Sequence, residues 1–147
     1  QFLSAQLADH TLARTYECIV VGNLREDRGT VDAPIARDSR DRKRMAVVNG
    51  GRRAVTHWTV LARYPGYTHV QCRLETGRTH QIRVHMAYLG HPLVGDTMYG
   101  TDETLPRHAL HCAQLQFTHP VTGAAVTLSS PIPADMQTLI DTLEETV

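Results

Sequence analysis

Arg78, His80, Arg83 and His85 lie in one stretch, RLETGRTHQIRVHMAYLGHPLVGDTMYG, that begins at Arg73 and ends at Gly100. Guanidinium groups hold carboxylates or phosphates in a planar fork, and imidazoles move protons near neutral pH. The pattern predicts a helix over HQIRVHMAYLG, with Thr79 as N-cap, Ile82, Met86 and Leu89 on one face, and Gly90 as the stop. Arg78 then precedes the cap and Arg83 falls in the first turns. Cations near a helix N-terminus oppose its dipole by roughly 0.3–1 kcal/mol each, and the free N–H groups there seek an acceptor. No Asp or Glu stands between Thr76 and Gly95. The missing anion is therefore a structural acid brought in by the fold, a catalytic carboxylate, or a bound phosphate.

Other chemistries fit less well. His80 and His85 are five residues apart, about 140° around a helix, and do not converge on one ion. His108 and His111 have only Cys112 nearby, so no metal centre is expected. GxGxxG, GxxxxGK and GxSxG are all absent, which removes the usual nucleotide loops and the serine elbow.

The chain has 147 residues and no net charge, but residues 36–85 carry eleven of its fifteen Lys and Arg against three acids. Arg37, Arg40, Arg42, Lys43, Arg44, Arg52 and Arg53 form the densest part, and all of the chain's cations except Lys43 are arginine. A localised polyanion site and a salt-bridged surface both fit this clustering. Apolar residues make up 41% of the chain, as in a globular protein with one core, and no run approaches a membrane span. Cys18, Cys72 and Cys112 stand singly, which predicts buried thiols in a reducing cytoplasm.

The elements that must position these residues are mostly strands. Phe2, Leu3 and Leu7 read as the end of a helix, and residues 12–21 as a strand closed by Gly22-Asn23. A turn at Arg28-Gly29 leads into the extended TVDAPI, and ARDSRDRKR is a basic loop. MAVV and RRAVTHWTVLARY, joined at Asn49-Gly50, predict a hairpin with Ala54, Thr56, Trp58, Val60 and Ala62 on one face. YTHVQCRLE alternates as the next strand. QLQFTHPVTGAAVTLSS predicts a late hairpin. In the tail Met136, Leu139, Ile140 and Leu143 mark an amphipathic helix. Short connections between many strands predict an α+β fold, a mainly antiparallel mixed sheet with flanking helices.

The block LETGRTHQIRVHMAYLGHPLVGDTMYG resembles the signature of the RluA-type family of RNA pseudouridine synthases, in its large-subunit ribosomal RNA branch. ARTYECIVVG is similar to the family's K-x-Y-x-A segment, with Arg14 in place of Lys. GTVDAPIARDSRDRKRMAV, GGRRAVTHWTVL, LHCAQLQFTHPVTG and SSPIPADM continue the likeness across the chain. The resemblance implies a pseudouridine synthase catalytic domain that isomerises uridine in RNA as a cytoplasmic monomer, without metal or cofactor. It implies that Tyr16 lies against the target base and that Arg83 pairs with an essential aspartate. With RNA as the polyanion, the basic cluster supplies the expected RNA-binding residues, Arg37, Arg40, Arg42, Lys43, Arg44, Arg52 and Arg53, joined by Arg78 and His80. The family's H-R-L-D-x-x-T-S-G motif, which carries that aspartate, is absent. Asp9 does not match it, and Asp96 matches a position read as structural. Residues 1–147 are therefore expected to be the C-terminal portion of the catalytic domain, without the acid and without an S4-like module. A catalytically inactive RNA-binding module of the same fold is the alternative.

Overall fold

Alternating apolar and polar residues draw most of the chain into strands, and the computed structural model describes residues 13–146. The expected helix end at Phe2, Leu3 and Leu7 lies outside that range, as does Asp9. In order come β1 (Ala13–Val21), β2 (Arg28–Asp32), β3 (Ile35–Arg37), β4 (Met45–Val47), β5 (Val55–Tyr64), β6 (Tyr67–Leu74), α1 (Gln81–Tyr88), β7 (Leu110–Thr118), β8 (Ala125–Ser129) and α2 (Ala134–Glu144). Six strands form one sheet in the order β2-β5-β6-β1-β7-β8, with every neighbouring pair antiparallel. β3 and β4 form a separate ribbon. The expected α+β architecture is thus present.

Both faces of the sheet are covered. Cys18, Val20, Trp58, Val70 and Cys72 pack with Ile82 and Met86 of α1. Ile19 and Tyr64 pack with Met136, Leu139, Ile140 and Leu143 of α2. Fully burying such a side chain contributes roughly 1.5–3 kcal/mol, so these two apolar layers hold the helices on the sheet. A smaller cluster of Ile35, Ala54 and Val84, with Met45 and Tyr99 against it, fixes the β3–β4 ribbon beside α1.

Several sequence expectations are corrected. Asn49-Gly50 is a turn, but β4 pairs with β3, while β5 lies between β2 and β6. Arg28 and Gly29 sit inside β2, where Gly29 faces Trp58 so closely that a Cβ would lie 2.5 Å from its Cζ2. β5 carries a bulge between Val60 and Ala62. One extra residue inverts the pleat, so Ala62 and Tyr64 turn to the α2 side and not to the side of Trp58. Leu89 is exposed, leaving Ile82 and Met86 as the apolar contacts of that helix face. Cys18 and Cys72 are buried, but Cys112 is exposed.

Candidate active site

α1 is positioned by a buried polar network rather than by Thr79. The N-cap is His80, with left-handed backbone, and no side chain caps the helix there. Gln81 performs the anchoring instead. Its Oε1 accepts hydrogen bonds from the Thr76 hydroxyl (2.8 Å) and the Arg78 amide (3.0 Å). Its Nε2 donates to the Val55 carbonyl and to the Thr56 hydroxyl oxygen, each at 3.0 Å. His85 Nε2 donates to the Ala33 carbonyl (2.9 Å), so Nδ1 accepts from the Thr56 hydroxyl at 2.8 Å. Burial lowers the His85 pKa, in keeping with that neutral tautomer. His85 is therefore a structural residue, and α1 is tied to β5 by bonds whose buried members are all matched.

This anchoring aims Arg83. Its Nε donates to Asp96 Oδ2 at 2.9 Å and its Nη2 to Asp96 Oδ1 at 3.0 Å, a two-bonded fork. Asp96 Oδ1 also accepts the amides of Met98 (3.1 Å) and Tyr99 (3.2 Å). Burial pushes the Asp96 carboxyl up, but Arg83 and the two amides hold it below the ordinary aspartate value. The side chain of Asp96 is 0% exposed and that of Arg83 12%. The anion missing from the helix start, which the resemblance assigned to the essential aspartate, is thus Asp96, supplied within the fold because its loop returns to the helix. It arrives because residues 92–94 lie against β1, through Pro92 O to Val21 N (2.8 Å) and Ile19 O to Val94 N (2.9 Å). Asp96 occupies one edge of the guanidinium; Nη1 has no hydrogen-bond acceptor among the described residues.

Arg83 lines a cavity of about 220 Å³ together with Tyr16, Arg14, Arg78, His80 and His108. Tyr16 sits where β1 and β7 lose register, at a bulge, which turns its ring out of the regular ladder. The Arg14 guanidinium lies 5.9 Å from the centre of that ring, a cation–π distance. Burial raises the Tyr16 phenol above its ordinary value, with Arg14 acting the other way, so the hydroxyl keeps its proton at neutral pH. The structure therefore brings Tyr16, Arg83, Arg78 and His80 together, and adds Arg14 and His108, to which the sequence assigned no site role. Their signal was geometric: Arg14 shares a strand face with Tyr16, and His108 precedes the strand beside it.

The other residues of the basic cluster do not line this cavity. Arg52 and Arg53 stand near Arg78, whose Nε donates to the Arg53 carbonyl at 2.7 Å. Arg53 also pairs with Glu75 at 3.2 Å. Arg40, Arg42 and Lys43 are exposed in the loop after β3, which Asp38 and Asp41 shape by accepting the Arg40 and Lys43 amides. Arg37 donates to the Arg42 carbonyl at 2.7 Å. Arg44 lies over the Tyr99 ring at 5.1 Å, the same distance as Arg83. Tyr99 is the hinge-point between loop and cavity: its hydroxyl accepts the Met45 amide (2.9 Å) and lies 2.8 Å from His80 Nδ1. Among the described residues no group of three or more His, Cys, Asp or Glu could hold a metal ion.

A guanidinium clamp beside an aromatic ring, on a cavity lined by Arg14, Arg78 and Arg83, offers the positive charge and flat surface that suit a planar, anion-bearing group. The family model of RNA pseudouridylate synthase matches residues 1–88, and the chain belongs to that family. It is 49% identical over 142 residues to YlyB of Bacillus subtilis, named an uncharacterized RNA pseudouridine synthase, with 95% of this chain and 47% of that protein aligned. It is 46% identical over 158 aligned residues to the ribosomal large subunit pseudouridine synthase D of Xanthomonas campestris, covering 97% of this chain and 47% of the relative. The chain thus spans about half the length of these curated relatives. Among solved structures, human RNA pseudouridylate synthase domain containing 1 superposes with a TM-score of 0.77 at 24% identity, over 99% of this chain and 71% of the other. The domain containing 4 protein gives 0.76 at 21%, over 96% and 66%. Those two likenesses establish the shared fold.

Proposed function

We propose that this chain forms the base-binding and carboxylate-orienting part of an RNA pseudouridine synthase catalytic domain that acts on large-subunit ribosomal RNA. The observation that carries the reading is the pairing of Tyr16 with Arg83 on one cavity, with one edge of the guanidinium already occupied by Asp96. Isomerisation of uridine breaks the N1–C1′ bond, turns the base, joins C5 to C1′ and removes the proton from C5. No atom is gained or lost, so no co-substrate is required. Tyr16 offers a flat face to an unstacked uracil, worth roughly 1–3 kcal/mol. Arg83 holds a carboxylate ionised and oriented through its free edge. Asp96 is locked in the first fork, so the reacting acid is a different aspartate. Arg37, Arg40, Arg42, Lys43, Arg44, Arg52, Arg53 and Arg78 hold the phosphates around the target. A cytoplasmic monomer fits this role; no helix among the described residues is long and apolar enough to cross a membrane.

Tritium release from C5-labelled uridine in ribosomal RNA tests the reading. A longer protein carrying these residues and an aspartate facing Arg83 should release tritium, and the 147-residue chain alone should bind RNA without release. Turnover by the chain alone overturns the assignment of the acid. RNA binding without turnover by the longer protein favours a non-catalytic RNA-binding module.

A further inference from the structure

We propose that His80 is a specificity-determining hydrogen-bond donor, fixed by Tyr99 as the Nε2–H tautomer and offering that N–H to the C4 carbonyl oxygen of the target base. The proposal rests on the reading of the cavity as a uridine pocket.

The first observation is backbone geometry. His80 has φ 56°, and no other non-glycine residue has positive φ among the described residues. Such a conformation is held only where the surroundings over-determine it, and it often marks a functional position. Here it starts α1 and sends the imidazole toward the Tyr99 hydroxyl and the cavity. The second observation is a count of protons. The Tyr99 oxygen accepts the Met45 amide proton at 2.9 Å. Its own proton has one acceptor among the described residues, His80 Nδ1 at 2.8 Å. Donation in that direction leaves Nδ1 as acceptor and puts the ring proton of neutral imidazole on Nε2. Nε2 has no protein partner among the described residues. The two rings meet edge to face, 5.7 Å apart at 77°, which keeps the imidazole from turning.

The charges around His80 favour the neutral ring. Burial lowers its pKa first, Arg83 and Arg37 lower it further, and Asp96 acts the other way. His108, facing the same cavity, is itself lowered by burial and by Arg83. Uracil presents carbonyl oxygens at C2 and C4. Cytosine keeps the first but carries an amino group at C4, which an N–H donor repels. A neutral donor of fixed direction therefore selects among pyrimidines in a way that a mobile cation does not.

Nitrogen NMR of the labelled 147-residue chain, free and titrated with short single-stranded RNA, provides the test. The free chain should show His80 with a protonated Nε2 and an acceptor Nδ1, and Tyr99→Phe should release it to a mixture of tautomers. A uridine oligonucleotide should shift the Nε2–H resonance along with Tyr16. Substituting 4-thiouridine should weaken the shift and 2-thiouridine should leave it; weakening by 2-thiouridine alone overturns the proposal, because cytosine shares that carbonyl. His80→Leu should bind the uridine oligonucleotide about tenfold more weakly but an abasic one equally, and His80→Gln, which carries an N–H near the same place, should recover most of the loss. An Nδ1–H tautomer in the free chain overturns the proposal. So does a uridine oligonucleotide that shifts Tyr16 and leaves His80 Nε2–H unmoved, in which case the pocket reading stands. RNA that shifts neither residue removes the pocket reading and this role with it.

Discussion

The Arg83–Asp96 pair decides what the candidate site can tolerate. Removing one partner of a buried, hydrogen-bonded ion pair typically costs about 3–5 kcal/mol, because the other charge is left without compensation. Asp96→Ala should lose that order of stability in urea unfolding at neutral pH; a loss below about 1 kcal/mol would mean the pair is screened by water. The sign with pH follows from the lowered Asp96 pKa. A depressed carboxyl contributes stability above its unfolded value, about 3.9, and the contribution fades as pH falls through the folded value. The difference between wild type and Asp96→Ala should thus stay constant above about pH 5 and shrink below about pH 4. Arg83→Lys keeps charge but loses the fork. In the full-length enzyme it should lower kcat by at least about 100-fold, near 2.7 kcal/mol of barrier, with little change in RNA affinity. Single-turnover rates beside binding constants check the split, and a loss confined to binding would assign Arg83 to phosphate. At this scale the motif made Arg78, His80 and Arg83 legible, because a helix start without acids is a local signal. The partner was not, since Asp96 returns through a loop that only the docking of residues 92–94 on β1 brings back. Gln81 escaped for a related reason: its acceptor and donor contacts on Thr76, Thr56 and Val55 belong to strand neighbours.

At the scale of elements, strand periodicity showed where β1, β5, β6, β7 and the tail helix run. Pairing was harder to read. Asn49-Gly50 carries a strong turn signal, yet the chain before it, β4, has a nearer partner in β3, and Arg52 bonds to Ile35 instead (2.9 Å). A turn signal fixes a local reversal and leaves open which strands meet across it. The bulge at Leu61 is invisible for the same reason, since either pleat of β5 leaves apolar residues inside. The anchor of α1 gives a direct test. Gln81→Ala leaves the Thr76 hydroxyl proton and the Arg78 amide without their acceptor, while the Val55 carbonyl keeps the Glu75 amide, and each unmet buried group costs about 1–3 kcal/mol. Gln81→Ala should therefore lower stability by at least about 2 kcal/mol, and Gln81→Glu, which keeps the acceptor but sets a buried carboxylate against the Val55 carbonyl, should be destabilised as well. Thermal unfolding of the variants decides it. Gly29→Ala should destabilise by about 1–3 kcal/mol through its clash with Trp58, and a neutral result would show that the β2 edge yields.

For the whole molecule, charge is segregated rather than balanced. Residues 36–85 carry a local excess of cations, of which Arg78 and Arg83 line the cavity and Arg52 and Arg53 lie close enough to Arg78 to act on its charge. If about five phosphates are neutralised, the logarithm of RNA affinity should fall with the logarithm of salt at a slope near −3.5, about −0.7 per contact for single strands. Replacing Arg42 and Lys43 with Ala should flatten that slope. Replacing Arg44 should also loosen the loop, because its guanidinium rests on Tyr99. A salt-independent affinity would sink the patch as an RNA contact. Charge clustering was readable from sequence, and the place of the loop after β3 was not, since that depends on the β3–β4 ribbon docking beside α1.

The strand order has a consequence for how the chain is made. β1 is the earliest of the described strands, yet it sits between β6 and β7. As synthesis proceeds, it gains its first neighbour when residues 67–74 emerge and its second only when residues 110–118 do. Until then the Tyr16 edge of the sheet is open, and the rim formed by His108 and Leu110 does not exist. α2, which closes the opposite core, comes later still. A nascent chain halted near residue 105 would therefore hold the guanidinium clamp without a pocket beside it. The pocket is therefore completed only once β7 has emerged, well after the basic segment that precedes β5.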